Sequence, residues 1–270
     1  MSEWSFFDYA SKDNLLRTVR QESDAMLALA GAPGVWEAPT AAGHWQVRDV
    51  IGHLVDTTEG YFAGFDAANG QGAAADALGV REMNQHVDEG ALAFRGTPQD
   101  ELLTRLDKDR AEMLAIMEGL DADAWSNLMV PHKYMGPIPS CFYPVAQLVD
   151  YTVHTWDIRQ GSGIAHAMDG DAADLLVPFC FIVWQSTAQC EDVEPFSLGI
   201  RLTGQNGGDT RASVSAEGIA LEPGDVGDLP AVIEFDAATF VLTAMGRING
   251  GTLRGDPAVV DKFCNLFFRI

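Results

Sequence analysis

The sequence predicts two domains of different class: a four-helix bundle over residues 1–190, then a small α+β domain over residues 191–270. Three observations carry this. Apolar residues recur at three- and four-residue intervals through the first two thirds of the chain, the period of a helix that buries one face. After Glu191 the texture changes to period-two alternation, as in Phe196-Ser-Leu-Gly-Ile-Arg-Leu202 and Ala212-Ser-Val-Ser-Ala216, which is the period of a half-buried strand. Turn signals such as Asn206-Gly-Gly208 separate those runs.

The first helix is expected from Asp8 to Ala30, with Leu16, Val19, Ser23, Met26 and Ala30 on one stripe and Gly31-Ala-Pro-Gly34 as its stop. The second begins near Gln46. Val50, Leu54, Thr57 and Tyr61 face inward, and His53 lies within that stripe. Asp49 falls in the first turn, where a carboxylate meets free amides and the positive end of the dipole, so it reads as a helix-start residue rather than a ligand. Residues 66–97 are rich in Ala and Gly and weakly periodic, a loop or short helix with Arg81 and His86 exposed. Thr97-Pro98-Gln-Asp100 then opens a third long helix with a hydroxyl cap, Pro at the first position and an early acid. Leu103, Leu106, Met113, Met117 and Leu120 are its stripe, the methionines serving as core.

A loop from Asp121 to Tyr143 holds His132, Tyr134 and prolines 131, 137 and 139, and Pro144 opens the fourth helix, which Gly161-Ser-Gly163 ends. Four long helices suffice for an up-and-down bundle with a site between facing helices. A further helix runs from Asp169 towards Gln189, bent at Pro178. In the tail, Ala231-Val-Ile-Glu-Phe235 is another strand, Asp236 caps a helix to Met245, and Asp256-Pro257 starts the last helix.

Charge narrows the function classes. With 17 basic against 39 acidic residues the formal charge is -22, a surface that repels nucleic acid and anionic lipid. The expectation is therefore no nucleic-acid partner and no membrane. The start, Met1-Ser-Glu-Trp-Ser, shows no signal peptide, and the longest apolar run, Leu175 to Trp184, is too short for a bilayer. The four cysteines (Cys141, Cys180, Cys190, Cys264) lack CxxC spacing and read as reduced thiols of a soluble cytoplasmic protein, monomer or homodimer.

Candidate chemistry sits on two helices. Asp150 and His154 are four apart, hence on one face, and can offer an oxygen and a nitrogen to one ion. Should His53 join them from the second helix, three protein ligands would leave an open position, as a catalytic metal requires. A histidine on an apolar face is more often a packed core residue, so spacing alone leaves both readings open.

Trp45-Gln-Val-Arg-Asp-Val-Ile-Gly-His53-Leu, the Asp150–Asp157 segment, Gly246-Arg247 and Arg254-Gly-Asp256-Pro together resemble the mycothiol-dependent maleylpyruvate isomerase family. The resemblance implies a DinB-like four-helix bundle joined to an SCP2-like domain, with His53, Asp150 and His154 as metal ligands. Glutamate is common at the acid position, so Asp150 is a shorter arm. Asp157 matches an acid that would orient the site, the other reading being a surface ion pair with Arg159 or another base. Arg247 matches an arginine implied to face the site and hold substrate or cosubstrate, the other reading being a cation at a helix end.

The function implied is a metal-dependent enzyme that uses mycothiol, or a similar small thiol, as nucleophile toward a small-molecule electrophile. It would act as an isomerase or as a thiol S-transferase, with Zn2+ the metal and with Arg247 and Asp157 in the catalytic set. The alternatives are a non-catalytic small-molecule-binding module and a metal-assisted hydrolase.

Overall fold

The computed structural model describes residues 2–164 and 166–268. Its first long helix, α1 (Lys12–Ala30), follows a single 3-10 turn at Tyr9–Ser11 and buries Leu15, Leu16, Val19 and Met26. The next is α2 (Val47–Ala68), followed by the shorter α3 (Met83–Ala93) and then α4 (Gln99–Gly119). A six-residue helix, α5 (Ala122–Asn127), leads into the antiparallel hairpin β1 (Met129–His132) and β2 (Gly136–Pro139), and α6 (Phe142–Gly161) completes the set. The four long helices pack in a ring: α1 on α6, α6 on α2, α2 on α4 and α4 on α1.

These elements make one compact unit, Met1–Met168, and Asp169–Ile270 make a second. The second opens with α7 (Gly170–Thr187), capped by Asp169, whose side chain accepts from Ala172 N. Its sheet has the order β5-β4-β3-β6-β7, built from β3 (Phe196–Thr203), β4 (Gly208–Ser215), β5 (Gly218–Pro223), β6 (Ala231–Asp236) and β7 (Thr252–Gly255). Only the central β3–β6 pair is parallel, setting Ile200 beside Ile233 and Leu202 beside Phe235. The helices α8 (Ala237–Ala244) and α9 (Pro257–Cys264) start on the expected Asp236 and Asp256 caps. Trp184 anchors this core, its ring 4.9 Å from that of Phe240 and 5.1 Å from that of Phe263. No described helix is long and apolar enough to cross a membrane.

Several expectations differ from what is observed. The compact units meet at Met168/Asp169, ahead of the expected boundary at 190/191, because α7 turns its apolar face onto α8. Within residues 66–97 the short helix that was one of the two readings is present as α3, but His86 on it is half-buried beside Glu89 rather than exposed. The helix α4 has Pro98, not Thr97, at its cap position, with no side-chain bond there; Asp100 and Glu101 supply the first-turn acids. The expected loop 121–143 contains both α5 and the hairpin.

The helix α2 is held along two lines by backbone contact. A Cβ at Gly52 would lie 2.7 Å from the Ala91 carbonyl oxygen of α3, and one at Gly64 would lie 2.5 Å from the Pro131 carbonyl oxygen of the hairpin. Only glycine lets the two partners approach so closely.

Candidate metal centre

The start of α2 is fixed before its ligand is presented. Asp49 Oδ2 accepts from Gln46 N at 2.9 Å, the helix-start role expected of it, and the same carboxylate takes two bonds from Arg95, at 2.7 and 2.8 Å. Burial would raise its pKa, but Arg95 and the Gln46 amide outweigh that and hold it below the usual carboxylate range. One turn on, His53 points into the bundle with 7% of its surface exposed.

From α6 come Asp150 and, one turn later, the equally buried His154. One ligand atom from each of His53, Asp150 and His154 lies within 4.8 Å of the other two. His53 Nε2 and Asp150 Oδ1 are 3.6 Å apart, against about 3.4 Å for two ligands sharing a tetrahedral ion at ordinary zinc distances. The donor set, two imidazoles and one carboxylate, is that of a divalent metal site with room for an outside ligand.

Neighbouring groups settle which ring nitrogen each histidine presents. His154 Nδ1 donates to Asp157 Oδ2 at 2.9 Å, and Thr57 Oγ1 lies 3.3 Å from His53 Nδ1. In both rings Nε2 is then the nitrogen that an ion could meet. Asp157 is fully buried and accepts from His154, a position inside the bundle rather than at its surface. Its backbone also takes part: Ala41 N donates to the Asp157 carbonyl at 2.9 Å, tying the loop before α2 to α6.

That loop delivers Trp45, whose ring centroid lies 5.2 Å from that of His53 and 5.8 Å from that of His154. Trp45 Nε1 donates to Asp88 Oδ1 at 2.8 Å, so α3 holds the indole that backs both imidazoles. Sequence reasoning quoted Trp45 but gave it no role, and Asp88 was missed altogether. An acid on a weakly periodic segment carries no signal until its partner is known.

Beyond the ligands, α2 continues to Tyr61, eight residues past His53 on the same face. Tyr61 packs edge-on to Tyr143 at 4.9 Å and beside His132 at 6.0 Å. Burial, with Asp150 next in order, raises the Tyr61 pKa well above its ordinary value. Burial likewise pushes His132 down to about 4, Asp150 offsetting only part of the effect. Both residues were legible as types but were given no part in the site.

His53, Asp150, His154 and Asp157 thus come together in the first unit. Arg247 belongs to the second, just past the end of α8, where its Nη1 donates to the Met245 carbonyl at 2.8 Å.

Two crystal structures of the mycothiol-dependent maleylpyruvate isomerase, one of them a histidine-to-alanine mutant, share this fold. Each aligns with TM-score 0.58 and 15% identity over 90% of this chain and 92% of its own. The colibactin self-resistance protein ClbS in complex with a dsDNA aligns over 57% of this chain and 97% of its own, with 12% identity and TM-score 0.48. No curated protein sequence matches the chain. The family model of the mycothiol maleylpyruvate isomerase N-terminal domain matches residues 16–159, a stretch that includes every ligand candidate and Asp157. The chain belongs to that family.

Proposed function

We propose that the chain is a metal-dependent enzyme that activates a small thiol, mycothiol or a relative, for attack on a small electrophile. The observation that carries this reading is the convergence of His53, Asp150 and His154. These three would hold the ion, zinc fitting the donor set best. A bound divalent ion supplies Lewis acidity and stabilises an incoming sulfhydryl as thiolate at neutral pH.

The chain's own groups do the rest. Asp157 fixes the tautomer and direction of the His154 ring, and Trp45 covers one side of both imidazoles and excludes water there. No protein thiol is activated as a nucleophile by its surroundings. Burial raises the pKa of each of the four cysteines, that of Cys141 to about 11 and that of the fully buried Cys180 further still. Arg247 is assigned, on the sequence resemblance, to hold a substrate carboxylate through paired hydrogen bonds.

The test is direct. Metal is measured on the purified chain, and turnover of an electrophile panel is followed with and without added thiol. Near-stoichiometric metal and turnover that requires thiol are expected; an isomerase returns the thiol, a transferase consumes it. Turnover without thiol would instead identify a hydrolase, and a chain without metal would be left as a binding module.

A further inference from the structure

The wall of the bundle beyond the metal ligands holds two polar atoms that the reading above leaves unused. Among the described residues, neither Tyr61 Oη nor His132 Nε2 meets a hydrogen-bond partner, and neither is sealed from solvent. Yet the residues themselves are well packed. Tyr61 is 8% exposed, and the hairpin that carries His132 is stitched down by the Tyr143 hydroxyl, which donates to the Val130 and Pro131 carbonyls.

The His132 ring is oriented by its own turn. Its Nδ1 accepts from Tyr134 N and Met135 N, both at 3.3 Å, which puts the ring proton on Nε2. Burial keeps the ring neutral at ordinary pH. Tyr61 is likewise a neutral donor, its ionisation suppressed by burial and by Asp150. Two neutral N–H and O–H donors therefore stand 6.0 Å apart by ring centroid on one wall. Eight residues separate Tyr61 from His53, about 12 Å along the helix axis. A helical side chain leans back toward the N-terminus, which brings the phenol toward Asp150.

Resting on the thiol-enzyme reading, we infer that Tyr61 and His132 form a donor pair for a carbonyl oxygen of the electrophile, and so select conjugated carbonyl acceptors over acceptors that react by displacing a halide. The step balances without further reactants. The thiolate sulfur forms a bond to the β-carbon, and the C=C π pair shifts through the α-carbon so that negative charge gathers on the carbonyl oxygen. Tyr61 Oη–H and His132 Nε2–H donate hydrogen bonds to that oxygen and keep their protons. Reversal after rotation about the new single bond, or protonation of the α-carbon by solvent, completes the reaction. Donors aimed at the place where charge develops act on the transition state rather than on the bound substrate.

The experiment uses the full chain with its metal and compares an enone with benzyl chloride as thiol acceptors. Tyr61→Phe and His132→Phe, which keep the ring packing, are each expected to lower kcat/KM for the enone by about 100-fold. Turnover of benzyl chloride should stay within about twofold. Bound metal per chain should be unchanged, and His132→Gln, which restores an N–H, should recover most of the enone activity. Equal losses on both acceptors, or none on the enone, would overturn the pair.

A second readout needs no turnover. In metal-free protein, 4-nitrophenolate, a conjugated oxyanion, should move the His132 Nε2 proton resonance downfield, and less so in Tyr61→Phe. An unmoved resonance overturns the assignment. A wild-type chain that uses thiol with neither acceptor fails as a thiol enzyme, and the nitrophenolate titration then decides the donor pair alone.

Discussion

The helices α6 and α7 are of similar length, 20 and 18 residues, and each contains a proline, yet α6 buries polar side chains among its apolar ones where α7 buries almost none. Buried positions of α7 are Ala, Leu, Val, Cys and Trp, with Thr187 the polar exception. Buried positions of α6 include Gln147, Thr152, His154, Thr155 and Asp157. Three buried hydroxyls of α6, on Tyr151, Thr152 and Thr155, have no protein partner among the described residues, at a cost of about 1–3 kcal/mol each where water does not satisfy them. The contrast separates two uses of a helix. One supports a sheet through apolar area; the other gives up some of that area to present chemistry inside a bundle.

The comparison can be broken at four points. The largest effect is expected from His154→Ala, which should abolish stoichiometric metal binding by elemental analysis while leaving the unfolding midpoint of metal-free protein unchanged or raised. A lowered midpoint would mean that α6 relies on this imidazole for stability as α7 relies on its tryptophan. Trp184→Ala, which empties a site 3% exposed, should destabilise the second unit by about 3–5 kcal/mol in denaturant titration without altering metal content. Asp157→Asn should weaken metal affinity about 10–100-fold in competition with a chelator, since the bond orienting His154 loses its charge.

The smallest effect belongs to Asp236→Ala, at about 1 kcal/mol, from loss of the cap that accepts from Thr239 N and Thr239 Oγ1. Burial alone would raise the Asp236 pKa, but these bonds hold it below the ordinary value. Its contribution is therefore complete above the unfolded carboxylate pKa, about 3.9, and is lost as pH falls through the lower folded value. Wild type and variant should converge in stability in acid; a gap that persists there would assign the cap to something other than charge.

Much of this was readable in the sequence, for identifiable reasons. His53, Asp150 and His154 were found because helical spacing places them on faces that can meet, and Asp49 because first-turn acids have a fixed meaning. The strands β3 and β4 announced themselves by alternation, and β6 by the run Ala231-Val-Ile-Glu-Phe235, rich in apolar residues. The hairpin β1–β2 did not. Pro131, Pro137 and Pro139 sit within it, and proline argues against a strand unless the strand lies at an edge, as both do here. Strand β7, with four residues, is too short for a period to show, and β5 begins on Gly218 and ends on Pro223, residue types that read as turn. Asp88 and His132 acquire meaning only through contacts with Trp45 and Tyr61, distant in sequence, which no local pattern encodes.

Gly52 and Gly64 bear on how the candidate centre would take up an ion. With backbone seated against α2 at both places, the helix cannot roll about its axis without lifting α3 and the hairpin together. The imidazole of His53 is thereby aimed during folding rather than at the moment of loading. On the reading proposed above, capture and release of a cation would demand little reorganisation of the polypeptide, and exchange would be governed by breaking bonds to the ion and by solvent access.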